Sequence, residues 1–255
     1  GTLGIITKIL LKIIPKPTKS ITMLAYFDKL SDSAQAVSDI IAAHITPCTM
    51  EFLDNTTINC VEDYTKIGLP RNAEAILLLE VDGRGSEVDD DAQTIIQILK
   101  KNNASTVRSA NNAEEALLLK SARRSAFSAL ARRRPTTILE DATVPRSELP
   151  VMIEKVKEAA NKYDVLIGNF GHAGDGNLHP TCLTDERDKD EIEKAHRAFD
   201  FIFNEAIKLG GTITGEHGTG LAKKQFLEHQ IGIPGIEMMK KIKSAIDENN
   251  ILNPD

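Results

Sequence analysis

Apolar positions along the chain alternate between two periods. Residues 21–27, 49–53 and 75–81 form short dense blocks of aliphatic and aromatic side chains, which predicts strands. Between them apolar residues recur every three or four positions. Ala36, Val37, Ile40 and Ile41 mark a helix over 31–44 with Ser31 or Asp32 as its cap, and 87–101 reads the same way. Residues 60–67 predict a short helix, 105–109 a strand and 113–133 one long helix. A strand over 137–144 ends at Pro145, and Ser147 caps a helix over 149–163. Residues 164–170 and 178–183 predict two strands around a glycine-rich turn. The helix over 189–209, with Phe199, Ile202, Phe203 and Ala206 on one face, stops at Gly210-Gly211. "GTITGEHGTG" reads as a second strand and turn, and 221–229 and 236–249 as closing helices.

The units 21–53 and 75–109 resemble the two halves of a ferredoxin-like plait. The fold class expected is α+β: one largely antiparallel sheet with helices packed on one face. Asp82-Gly83-Arg84-Gly85 follows an apolar strand but lacks the third glycine of a dinucleotide-binding turn. The start is unusual. Gly1 to Gly4 read as the middle of a strand-and-turn unit and 5–14 as an extended apolar segment, which suggests a piece of a larger protein.

Composition narrows the function. With 255 residues, 41% hydrophobic and 27% charged, the chain can build a sizeable core as one large domain or two small ones. A net charge of −6 gives no footprint for nucleic acid. The basic cluster Arg123, Arg124, Arg132, Arg133 and Arg134 falls on the long predicted helix, and its last three members read as a solvated helix end. Cys48, Cys60 and Cys182 have neither metal spacing nor an even framework and read as reduced thiols. Neither a signal peptide nor a membrane-spanning run is evident, so a cytoplasmic location is expected.

Chemistry concentrates in the glycine-rich turns. His44, His196 and His229 fall on predicted helices, away from other ligands. His172, His179 and His217 lie in turns, where site residues gather on a rigid scaffold. If Gly174-Asp175-Gly176 reverse the chain, His172 and His179 face each other and can share a metal ion at about 2.0–2.2 Å. Glu216, between glycines, is the best carboxylate to complete such a site. Neighbours in a strand point to opposite faces, so Glu216 is assigned to the metal and His217 stays free as an acid/base. Spacing alone fits an incidental polar hairpin equally well.

"GHAGDGNLHP", "GEHGTGLAKKQFL" and "ILNPD" together closely resemble the C-terminal half of the FAD-linked 2-hydroxy-acid oxidoreductases. That group includes the glycolate oxidase catalytic subunit, D-lactate dehydrogenase and D-2-hydroxyglutarate dehydrogenase, in the vanillyl-alcohol oxidase superfamily. "GTLGIIT" resembles the last strand of the family's FAD-binding domain. The resemblance implies that residues 1–17 are the remnant of that domain and 18–255 the substrate, or cap, domain. It implies a divalent metal (zinc, manganese or iron) on His172, His179 and Glu216, and His217 as the base for the substrate hydroxyl. It implies Asn177 beside the substrate and Arg123 on its carboxylate, with Arg124 as the alternative, because Lys120 stands where the family has tryptophan. Asp141 and Pro145 match the family's "D-x-x-x-P" segment, and Gly1, Thr2, Gly4, Ile5 and Asn253 would contact FAD.

The implied reaction is oxidation of a small 2-hydroxy acid of the glycolate or D-lactate type, with hydride passing to FAD. The implied partners are the FAD domain in cis and an electron-transfer subunit. By this reading the piece folds but neither holds FAD nor turns over. Two other readings remain open here: a non-catalytic metal-binding module, and a regulatory domain that binds small acids.

Overall fold

A computed structural model describes residues 1–254, and the chain divides into two compact units. The larger, Pro17–Gly218, is built on an eight-stranded sheet. Its strands are β1 (Lys19–Phe27), β2 (Thr49–Asp54), β3 (Ala75–Gly83), β4 (Thr106–Ser109), β5 (Thr136–Leu139), β6 (Ala142–Thr143), β7 (Leu166–His172) and β8 (Asn177–Thr184). Their order is β4-β1-β3-β2-β7-β8-β5, with β6 also on β8, and every strand pairing is antiparallel. The first four strands keep the expected plait order, with one extra helix between β2 and β3.

Helices cover both faces of the sheet, not one. Helices α1 (Leu30–Ala42), α3 (Glu87–Lys101), α6 (Leu149–Tyr163) and α7 (Lys189–Lys208) form one layer. Helices α2 (Asn55–Thr65), α4 (Ala113–Arg124) and α5 (Ala126–Leu130) pack on the other face, over Leu24, Leu53, Leu78 and Phe170. Alternation explains this. Leu24, Tyr26, Ile76 and Leu78 point one way, Met23, Phe27, Leu77 and Leu79 the other, and all are buried. An uninterrupted apolar strand such as 75–81 signals a sheet buried on both sides.

Other boundaries differ for local reasons. α2 begins earlier than expected because Asp54 accepts the N–H of Thr57 at 2.8 Å and caps it. α1 starts at Leu30, so Ser31 and Asp32 lie in its first turn rather than at its cap, and His44 falls just beyond its end. The long helix breaks at Ser125 into α4 and α5. Ser147 lies in a 3-10 turn, Arg146–Glu148, ahead of α6 and makes no cap bond. The strand expected over 137–144 is interrupted at Glu140 and Asp141. "GTITGEHGTG" is not a strand: Thr212 alone bridges to Thr143.

The last three arginines of the cluster lie beyond α5 rather than at a helix end, with Arg132 and Arg133 exposed as expected. Arg134 binds both oxygens of Glu191, and Arg132 stacks on the Tyr64 ring at 4.5 Å.

The smaller unit holds Gly1–Lys16 and the chain from Thr219 onward. Residues 1–14 form no strand. The closing segment α8 (Lys224–Ile246) is two helices, as expected, joined at a kink where Gly232 takes a φ of 71° ahead of Pro234. No helix among the described residues is long and apolar enough to cross a membrane.

Candidate active site

The hairpin at 168–180 turns through a 3-10 segment, Ala173–Asp175, and Gly176, whose φ of 72° suits glycine. The turn therefore starts one residue before Gly174. Register pairs His172 with Asn177 and Phe170 with His179. The two histidines are thus diagonal neighbours on one sheet face, not directly opposed. Their ring centroids lie 5.2 Å apart at 88°.

The second glycine segment is shaped by Asp141, which is fully buried. Its Oδ2 accepts the N–H of Gly215 at 2.7 Å, of Glu216 at 2.7 Å and of His217 at 3.1 Å, and the hydroxyl of Thr214 at 3.2 Å. Three successive N–H groups on one oxygen wrap the chain into a turn, so strand alternation does not apply. Glu216 and His217 both reach His179. Glu216 Oε1 lies 3.1 Å from His179 Nε2 and 3.5 Å from His172 Nε2. The His217 ring stacks on that of His179 at 5.2 Å, 10° from parallel. His217 Nδ1 faces Asp141 Oδ1 at 3.7 Å.

One carboxylate oxygen thus meets two imidazole Nε2 atoms, and ligand atoms of His172, His179 and Glu216 all fall within 4.8 Å of one another. Two imidazoles and a carboxylate suit zinc, manganese or iron(II). Buried His179 Nδ1 has no hydrogen-bond partner among the described residues. Burial first, then the charges of His172, Arg123 and His217, push His179 down to about 4, so it is neutral at pH 7 and has no proton to shed before ligating.

Arg123 reaches the same face from α4. Its Nε donates to Glu51 Oε2 at 2.8 Å, and its guanidinium lies over the Phe170 ring, 4.7 Å from the centroid. Glu51 Oε1 in turn lies 2.9 Å from His172 Nδ1. Glu51 is opposed in two directions: burial raises its pKa, but the His172 hydrogen bond and the Arg123 charge outweigh it and hold the carboxyl below its usual range. His172 is raised, mainly by that same hydrogen bond. Arg124 is exposed on the same helix. Lys120, in the tryptophan position, pairs with Glu80 at 2.7 Å.

Asn177 is buried, and its Oδ1 accepts the Thr143 hydroxyl at 3.0 Å. Its amide also lies against Gly215. Glu51 was not singled out from the sequence. The available signal was a charged residue in the middle of an otherwise apolar strand, 49–53. In the smaller unit Asn253 donates to the Gly1 carbonyl at 2.7 Å, and Thr2, Gly4 and Ile5 are exposed.

The fold is shared with solved structures of low sequence identity. A p-cresol methylhydroxylase structure with substrate bound superposes with a TM-score of 0.66 at 15% identity, covering 94% of this chain and 52% of that one. An alkyldihydroxyacetonephosphate synthase structure gives 0.63 at 16% identity, covering 100% of this chain and 47% of that one.

The chain belongs to the family of FAD linked oxidases, C-terminal domain, whose model matches residues 16–255. It is 55% identical over 254 residues to the glycolate oxidase subunit GlcD of Bacillus subtilis, covering 100% of this chain and 54% of that protein. It is 37% identical to GlcD of Escherichia coli, covering 100% of this chain and 51% of that protein. A probable mitochondrial D-lactate dehydrogenase of Danio rerio is 30% identical, with the same coverage of 100% and 51%. The chain spans about half the length of these curated relatives.

Proposed function

We propose that this chain is the substrate-binding half of a flavin-dependent 2-hydroxy-acid dehydrogenase or oxidase, acting on a small 2-hydroxy acid of the glycolate or D-lactate type. The observation that carries the reading is convergence: Arg123, His217 and the His172–His179–Glu216 cluster meet on one face of the sheet. A purely structural metal site would have no use for an arginine brought in from α4.

The terminal nitrogens of Arg123 make no hydrogen bond to any described residue, so they are free to grip a carboxylate in paired fashion. His217, whose Nδ1 lies 3.7 Å from Asp141 Oδ1, is assigned to take the C2-hydroxyl proton. General-base help of this kind contributes about 10²–10⁴-fold. His172, His179 and Glu216 would hold a divalent ion, and such an ion lowers the pKa of a hydroxyl bound to it. FAD, when bound, supplies the hydride acceptor that no side chain here can replace. Asn177, held by Thr143, is assigned to setting the edge of the substrate pocket. Gly1, Thr2, Gly4, Ile5 and Asn253 are assigned to the flavin side, with the FAD domain in cis and an electron-transfer subunit as partners. Three free cysteines fit a reducing compartment such as the cytoplasm.

The test is to assay the flavin-containing protein against a panel of 2-hydroxy acids with an artificial electron acceptor. Turnover of glycolate or D-lactate, lost in His217→Ala, is expected. Activity that survives in His217→Ala would overturn the assignment of the base.

A further inference from the structure

Glu51 lies at the junction of the two arms of the site, and three observations define its place. First, register pairs Glu51 with His172 across β2 and β7, so both side chains stand on the same sheet face. Second, its two oxygens are divided between two partners, Oε1 toward His172 Nδ1 at 2.9 Å and Oε2 toward Arg123 Nε at 2.8 Å. Third, the Phe170 ring beneath the guanidinium closes the remaining side, so Arg123 is held between an aromatic face and a carboxylate.

We propose that Glu51 is a positioning residue that sets the metal-binding arm and the carboxylate-binding arm together. This inference rests on the functional reading above. A carboxylate beside a guanidinium is ionised and only accepts, so His172 Nδ1 carries the hydrogen, which leaves Nε2 to offer its lone pair to an ion held together with His179 and Glu216. The same carboxylate takes Arg123 by Nε, the donor at the back of the fork, and leaves the paired outer donors facing a substrate. It also places a negative charge between a fixed guanidinium and the site of a divalent ion. A ligating histidine commonly donates its second N–H to such an outer carboxylate. Here that carboxylate also orients the substrate clamp.

Glu51→Gln separates this role from packing. The amide has one accepting oxygen, so whichever way it sits only one of the two donors finds an acceptor. Two measurements are made: cobalt(II) titration of the 255-residue chain, followed by its visible absorption band, and steady-state kinetics of the flavin-bound protein. Glu51→Gln is expected to weaken cobalt affinity by about 10–100-fold. It should also raise KM for the 2-hydroxy acid, while thermal unfolding still shows a folded protein. Glu51→Asp, which keeps both acceptors, is expected to recover part of both effects, and it serves as the second variant if Glu51→Gln fails to fold. Unchanged cobalt affinity and unchanged KM in a folded Glu51→Gln protein would make Glu51 a structural ion-pair member and overturn the inference. Failure of the unmodified chain to bind cobalt at all would instead overturn the metal reading itself, and the His172 arm with it.

Discussion

The carboxylate of Asp141 accepts the backbone N–H of Glu216 at 2.7 Å from 75 residues away in the chain. That bond, with its neighbours to Gly215 and His217, holds the loop that carries the candidate metal ligand Glu216 and the candidate base His217. Asp141→Ala is expected to lower unfolding free energy by about 3 kcal/mol, because hydrogen bonds to a charged group are each worth roughly 1.5–3 kcal/mol. Urea unfolding measures this. Cobalt affinity should fall in the same variant, and a stable protein with intact affinity would show that the loop holds itself.

His179 makes stability depend on pH. An unfolded histidine takes up its proton near 6.5, whereas buried His179 does so only at about 4. Between those values the unfolded chain binds more protons, so the contribution is complete above about 6.5 and is lost as pH falls toward 4. A gap of roughly 2.5 pH units corresponds to about 3 kcal/mol. His172 has the opposite sign. Its raised pKa contributes below about 6.5, and that part is lost as pH rises through the folded value. In the presence of a chelator, His179→Gln should flatten the loss of stability between pH 6.5 and 4. Equal slopes for the two proteins would mean that His179 is not held neutral.

Arg123 and Arg124 are adjacent in sequence and unlike in setting. Arg123→Ala in the flavin-bound protein should reduce kcat/KM by roughly 10–150-fold, equivalent to about 1.5–3 kcal/mol for charge-assisted hydrogen bonds. Arg124→Ala, at an exposed position, should change stability by no more than about 0.5 kcal/mol and leave kinetics unaltered. The reverse result would make Arg124 the carboxylate clamp.

Gly215 permits a close approach. A Cβ there would overlap the Thr143 hydroxyl and come within 2.8 Å of Asn177 Nδ2. Gly215→Ala should push the 215–217 turn off the sheet and weaken cobalt binding, with the main unfolding transition retained. Isothermal titration beside a thermal melt separates these two effects, and undiminished binding would show that the turn can shift at no cost.

Much of the architecture was legible along the chain. The blocks at 21–27 and 75–81 and the periodic stretches at 87–101 and 149–163 correspond to β1, β3, α3 and α6, because side-chain period is a local property. The plait order followed from alternation of strands and helices. Breaks such as Ser125 and the gap at Glu140–Asp141 were not legible, since nothing in their neighbourhood distinguishes them from a continuing element. A second helical layer could be inferred only by asking what covers both faces of an uninterrupted apolar strand.

The site divides in the same way. His172, His179, Glu216 and His217 stand out in the sequence because they sit in glycine-rich turns, which are local features, and because those segments resemble a known family. Their geometry does not follow from it. Whether Glu216 and His217 face the same way depends on Asp141, and whether Arg123 belongs to the site depends on Glu51, 72 residues away. Residue types, periods and turns are set by neighbours along the chain. Register between strands far apart in sequence decides which side chains share a face, and only tertiary structure fixes that register.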